Sequence, residues 1–471
     1  MNMPQTRCHR SALGVVLALA AIWMVWGSGL SERVVSVVQA QQDAWTTDAA
    51  RRMGIRLAET RDASGPPAYP VQPGDLLFFT NASGSFGAKN TLDAIVVVDA
   101  KSRKPIAMSE LEADWAEGYV SHGNTVSPDG RFVYLPGIAP GAGLKGKNPS
   151  RLLVLDARTL KIHQIIVSGG ERPHHAKVYV DHTGASRVLI EDFNWIDDSG
   201  NGKGFFILDH MNNNKVMAGM LPGEFRGNPY AGFTSPDGRY LYYGMPSADK
   251  RVRGEILGWL AKVDMQAMKV VQALPMAADP IWTVFSKDGR YAWVSQAGHD
   301  GDSKVTKIER ATDPKGMDKI LSESPAGPGV YGMALTLDNR EIWTADKGEG
   351  TPAAKRRTTV TVIDADKMFV KRTIETGCRT NDHILLSPDG SEMWAMCNGT
   401  QEIVVLDVKT YALKGRIPMP NQGAVHGGTF VSYSRGAGGA VTAEVVSDQN
   451  GLQGSARTAY MAGKPWAPPA R

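Results

Sequence analysis

Short apolar stretches in which hydrophobic and polar positions alternate, each closed by a turn, dominate the chain from about residue 75 onward. The clearest is Thr125-Val-Ser-Pro-Asp-Gly-Arg-Phe-Val-Tyr134. It is echoed by Phe233-Thr-Ser-Pro-Asp-Gly-Arg-Tyr-Leu-Tyr242, Val284-Phe-Ser-Lys-Asp-Gly-Arg-Tyr-Ala-Trp293, Ala334-Leu-Thr-Leu-Asp-Asn-Arg-Glu-Ile-Trp343 and Leu385-Leu-Ser-Pro-Asp-Gly-Ser-Glu-Met-Trp394. The turn aspartates Asp129, Asp237, Asp288, Asp338 and Asp389 recur roughly every fifty residues, and Asp181, in a degenerate copy, divides the one double interval. Each copy predicts a strand, a tight turn and a second strand, because Pro-Asp-Gly and Asp-Asn supply the dihedrals a short hairpin needs. Third strands are predicted over Arg151 to Asp156, Phe205 to Asp209, Thr358 to Asp364 and Glu402 to Asp407. Four antiparallel strands in about fifty residues make one propeller blade.

The two ends of the pattern complete one another. Asp75 to Thr80, Asp93 to Asp99 and Pro105 to Leu111 read as second, third and fourth strands without a first, and Gly427 to Tyr433 reads as a first strand without most of its partners. Joining them predicts an all-β, seven-bladed propeller of four-stranded antiparallel blades, closed by pairing N- and C-terminal strands and leaving no open edge. The propeller is expected over 75–450, after an extension at 41–74, with 451–471 an irregular tail.

Composition adds a location. The 51 Gly and 27 Pro suit a turn-rich β fold, and a net charge of +4 with scattered signs argues against a nucleic-acid partner. Arg7 and Arg10 precede an apolar run from Ala12 to Trp26, and Val38-Gln-Ala40 ends in small residues at the cleavage positions, so 1–40 reads as a secretory signal. A retained N-terminal anchor is the alternative, and only then would a membrane be a partner. Either way the body is expected outside the cytoplasm, in a periplasm. Without Cys8 only Cys378 and Cys397 remain, flanking one predicted hairpin, and a disulfide between them is expected over two buried thiols.

Residues that precede the innermost strands converge on one mouth of a propeller's central channel. Ser121-His122-Gly, Pro173-His174-His175, Asn381-Asp382-His383 and Val425-His426-Gly put histidines there in blades 1, 2, 6 and 7, which are consecutive around a closed ring. Blades 3, 4 and 5 place Tyr230, Trp282 and Tyr331 at about the same position, with His383 offset by one residue from the other histidines. Clustered neutral imidazoles suit a Zn or Cu site. Asp382 is a candidate acceptor orienting an imidazole, and Lys177 a candidate anion-binding group. His163, His182, His210 and His299 are expected at the surface. The stretch from Asp197 to Lys203 has half a calcium loop but lacks the final Glu. Hydrolase, c-type haem and nucleotide motifs are missing, Cys-x-x-Cys-His among them.

Laid out this way, the chain resembles the periplasmic seven-bladed YVTN-type propellers that include the copper-bearing propeller of nitrous oxide reductase. Val120-Ser-His-Gly-Asn-Thr125, Ser150 to Asp156, His174-His-Ala-Lys177 and Gly200 to Asp209 look like stretches of the selenium-binding protein and methanethiol oxidase family. That resemblance implies copper held by channel-mouth histidines and oxidation of a small thiol by dioxygen, with His122, His174 or His175, and His426 at matching positions. The cysteines that family carries near its first histidine motif are missing. The expectation is therefore an exported copper oxidoreductase acting on a small sulfur compound, with His122, His175, His383 and His426 as ligands and His174 as a fifth or a neighbour. The rival from another class is a non-catalytic scaffold with a periplasmic protein partner. A lactonase-like hydrolase is disfavoured by the lack of a carboxylate cluster.

Overall fold

The computed structural model describes residues 43–469 except 85–92, 112–119, 139–150, 169–172, 193–203, 226–228, 247–257, 299–301, 312, 314–315 and 349–350. The N-terminal segment read as a signal, the half calcium loop and His299 lie outside the described residues. Among the described residues no helix is long and apolar enough to cross a membrane.

Seven antiparallel sheets are the seven blades. Blades 2 to 6 have four strands each, in chain order, beginning at Pro173, Ala231, Asp279, Val330 and Asn381. The Ser-x-Asp-Gly repeat is legible as turn chemistry. The hydroxyls of Ser127, Ser286 and Ser387 donate to Asp129, Asp288 and Asp389 at 2.6 Å, and that of Thr336 to Asp338 at 2.7 Å. The following residue is left-handed, with φ of 71° at Gly130, 69° at Gly289 and 77° at Gly390. Asn339, the non-glycine that takes this conformation most readily, has φ of 56°. Blade 1 departs from four strands, because Arg56–Thr60 from the N-terminal extension adds as an outer strand on Ile162–Val167.

Closure follows the expected pairing. Gly428–Arg435 pairs with Leu76–Ala82, which continues through Ala94–Asp99 to Lys104–Glu110. Large aromatics seal the seam with blade 6: Phe78 lies 5.0 Å from Trp394 and 4.7 Å from Phe430, ring centre to ring centre. Trp394 is 1% exposed, so Trp394→Ala should cost about 3–5 kcal/mol in denaturant unfolding.

The C-terminal region differs from expectation. Val441–Asp448 pairs with the free side of Gly428–Arg435, placing an extra strand inside the innermost one. Its end reaches across the channel: Ser447 donates to the Leu386 carbonyl of blade 6, and Asp448 accepts from the Thr125 hydroxyl and, at 2.6 Å, from the Val178 amide. The tail is not irregular, since Gly454–Met461 is a helix. Arg457 bonds the Pro236 carbonyl and Tyr460 the Asn339 side chain, so the helix caps the mouth formed by the Ser-x-Asp turns.

Cys378 and Cys397 form a disulfide, as befits an oxidising compartment. It closes a sequence separation of 19 residues. The Cys378→Ser, Cys397→Ser double variant is expected to lose about 3 kcal/mol by loop-closure entropy, read as a lower denaturant midpoint. An unchanged midpoint would contradict this.

Candidate functional site

The histidines stand where the first strands are irregular. Strand register shifts between Pro173 and Ala176, between Asn381 and Ile384, between Pro280 and Trp282, and between Val330 and Met333. These bulges hold His174 and His175, Asp382 and His383, and Tyr331. In blade 1 the first strand is split into Val120–Ser121 and Thr125–Val126, and His122 occupies the gap. A bulge re-aims side chains that a regular strand would alternate between faces. The bulge also takes up the one-residue offset of His383, so that this ring, expected among the ligands, is turned inward with the others.

All five rings converge. His122 lies 4.1 Å from both His174 and His426, 5.0 Å from His175 and 5.7 Å from His383. His174 and His175 are 3.8 Å apart, and His175 and His383 5.0 Å apart. The aromatics from the other blades complete the wall: Tyr230 is 4.9 Å from His174, Trp282 is 4.7 Å from His383, and Tyr331 stacks on His383 at 5.8 Å. Nitrogens of His122, His174 and His175 lie within 4.8 Å of one another, as do donor atoms of His122, Asp382 and His426.

Two buried carboxylates organise the cluster. Asp382 accepts from His426 Nδ1 at 2.9 Å, lies 3.7 Å from His122 Nε2, and pairs with Lys347 at 2.8 Å. Burial alone would raise its pKa, but Lys347 and the surrounding imidazoles outweigh that and hold it well below the usual carboxylate range. Glu191 accepts from His175 Nδ1 at 2.7 Å and also pairs with Lys177. Burial pushes Glu191 up to about 7 against the pull of Lys177 and of the Gly232 amide. Carboxylate acceptance fixes the His175 proton on Nδ1 and leaves Nε2 with a lone pair. Lys177 is therefore not a free anion-binding group; its charge is met by Glu191 and its ammonium lies 3.8 Å from the Phe233 ring centre.

Burial lowers the pKa of His122, His174 and His175 well below the ordinary imidazole value and that of His383 to about 3. These four imidazoles are neutral at physiological pH. Outside it, His182 is exposed and His163 half-buried, whereas His210 is only 5% exposed, a correction to its expected surface position. It belongs to the third-to-fourth-strand turn of blade 2, where its carbonyl receives Arg131 of blade 1. Glu191 and Lys347 were not singled out from the sequence, because neither stands at the strand entry where the histidines recur.

The family model of the cytochrome D1 haem domain matches residues 106–434, most of the propeller, and all five histidines fall inside that span. The chain belongs to the cytochrome D1 haem-domain family. It is 24% identical to Protein NirF of Pseudomonas aeruginosa over 280 residues, 48% of this chain and 64% of that protein, and so spans under two thirds of this relative's length. Solved propellers share the fold: hydrazine synthase of Kuenenia stuttgartiensis (TM-score 0.51, 16% identity, 67% of this chain and 90% of that one) and the periplasmic gluconolactonase PpgL of Pseudomonas aeruginosa (TM-score 0.54, 14% identity, 75% and 99%).

Membership of the D1 haem-domain family overturns the likeness to selenium-binding proteins and nitrous oxide reductase, and with it both the copper cofactor and the thiol-oxidase activity. The motifs behind that likeness encode hairpin turns and channel-mouth imidazoles, which propellers of different function share. Neutral clustered imidazoles suit haem iron as well as a bare metal ion. For a D1-type haem the donor set fits. His122 Nδ1, His175 Nε2 and both nitrogens of His383 have no hydrogen-bond partner, and the His122 side chain is 15% exposed where those of His175, His383 and His426 are fully buried. His122 is thus the imidazole best placed to meet an iron at the mouth. His426, by contrast, spends Nδ1 on Asp382 and Nε2 on Ser83, at 3.2 Å.

Proposed function

We propose that this chain is an exported haem-d1-handling propeller, which binds a d1-type haem or its precursor at the histidine mouth and serves the making or delivery of that cofactor. The observation that carries the reading is the coincidence of the family match with the five convergent histidines. The bound tetrapyrrole supplies a redox-active iron and a conjugated ring. His122 would be the iron ligand, with His174 beside it. Asp382 and Lys347 hold His426, Glu191 holds His175, and Tyr230, Trp282 and Tyr331 offer aromatic surface and keep water out.

The test is to produce the protein in the periplasm of a bacterium that makes d1-type haem, extract the pigment with acidified solvent and quantify it per chain. About one pigment per chain is expected from mass action on a single mouth. Folded protein that emerges colourless would overturn the reading.

Affinity should also resist acid. An ordinary imidazole ligand, with a pKa near 6.5, is roughly 97% protonated at pH 5 and would lose about 30-fold in affinity. Here the lowered value keeps His122 neutral, so that loss is not expected between pH 8 and pH 5 in an absorbance titration, and a smaller step near pH 7 belongs to Glu191. A loss of about 30-fold by pH 5 would show instead that His122 is solvated.

A further inference from the structure

Beneath the histidines lies a side chain from outside the family-matched span. After Val441–Asp448 has run up the inside of blade 7, Gln449 places its carboxamide among the histidine-bearing strands and is 4% exposed. Its Nε2 donates to the Asn124 carbonyl at 3.1 Å and to that of Ala176 at 3.5 Å. Asn124 lies two residues beyond His122, and Ala176 directly follows His175. These two strands also touch each other, the Ala176 amide donating to the Gly123 carbonyl at 2.8 Å.

The glycines that follow two of the histidines fit this side chain. A Cβ at Gly123 would lie 2.5 Å from Gln449 Oε1 and 2.5 Å from His175 Cδ2. A Cβ at Gly427, next to His426, would lie 3.0 Å from Gln449 Cδ and 3.1 Å from His383 Nδ1. Real Cβ atoms do not approach so closely at Gly123, so the His-Gly pairs of blades 1 and 7 make room for one carboxamide. That carboxamide touches the strands of His122, His175 and His426 at once. Its Oε1 is buried and has no hydrogen-bond partner, beside a His175 Nε2 and a His383 that have none either. A buried carbonyl oxygen left without a donor costs free energy unless something bound supplies one.

We infer that Gln449 is a positioning residue of the histidine site: it sets the spacing of the strands that carry His122, His175 and His426, and its free Oε1 accepts a hydrogen bond from an N–H or O–H group, such as a water molecule, held among the imidazoles. The C-terminal strand is then part of the site as well as of ring closure. The inference rests on the tetrapyrrole reading only for what binds above the histidines.

The experiment separates the two. Full-length protein labelled with nitrogen-15 at histidine is compared by NMR, without ligand, with Gln449→Met, which keeps the length and removes both polar atoms. Haemin is then titrated into each. In the variant the ring signals of His122, His175 and His426 are expected to shift, those of His163 and His182 to stay, and haemin affinity to fall about 10-fold, a size typical of groups that orient ligands. If Gln449→Met does not fold, Gln449→Asn, which keeps a shorter carboxamide, carries the same comparison. Unchanged ring signals in a folded variant overturn the inference whatever haemin does. Shifted signals together with no haemin binding by the unaltered protein uphold the positioning role and count against the tetrapyrrole reading.

Discussion

Replacing Asp382 by Ala is expected to destabilise the ligand-free propeller by about 3–5 kcal/mol and to abolish tetrapyrrole binding. The size follows from what the substitution leaves behind. Lys347 is 5% exposed at its side chain and lies 2.8 Å from a carboxylate that is fully buried, so removing the carboxylate strands an ammonium in a low-dielectric interior. The same change takes the acceptor from His426 Nδ1 and a negative charge from beside His122. Denaturant unfolding separates the two consequences. In Asp382→Leu, Lys347→Met both charges are gone, and most of the lost stability should return, because a buried pair replaced as a whole by apolar side chains is often neutral. Binding should not return, since the imidazoles remain without their acceptor. A single variant as stable as the parent would mean that Lys347 finds water or another anion.

His122→Ala is expected to remove binding without the loss of stability. It should weaken tetrapyrrole binding by more than about 100-fold, exceeding the typical loss for a group that only orients a ligand, while changing stability by about 1 kcal/mol or less. His122 is the partly exposed member of the cluster and its Nδ1 bonds to nothing in the protein, so what vanishes is its ring packing on His174 and His426 and no Nδ1 hydrogen bond. His182→Ala, on the exposed turn of blade 2, is the control and should leave binding unchanged. Equal losses from the two substitutions would point to a nonspecific histidine effect.

The blades were legible because a propeller repeats its turn chemistry. The Ser-x-Asp-Gly hairpin recurs with the same hydroxyl-to-carboxylate bond from Ser127 to Ser387, and the strands at either end of the chain could be matched by what each lacked. The convergence of His122, His174, His175 and His426 was legible for the same reason, as the same position in neighbouring repeats, with His383 one residue away from it. What escaped was whatever departs from the repeat. The bulge that turns His383 inward adds a register shift that residue counting cannot see. Val441–Asp448 alternates like any strand, and nothing local says that it pairs on the inner side of Gly428–Arg435. Glu191 and Lys347 read as ordinary strand-end charges until the fold lays them against His175 and Asp382. The copper expectation failed for a different reason. The same imidazole nitrogens serve a bare ion or a haem iron, so the histidines alone do not distinguish copper from the D1-type haem that family membership points to.

The central claim, that the histidine mouth binds a d1-type haem through iron, is tested most directly by titrating the purified, ligand-free protein with ferric haem d1 under electron paramagnetic resonance and visible absorption. The account predicts saturation at about one haem per chain, an imidazole-ligated iron signal, and loss of that signal in His122→Ala but not in His182→Ala. A haem spectrum that stays that of the free cofactor, or an iron signal that is the same with and without His122, would contradict it.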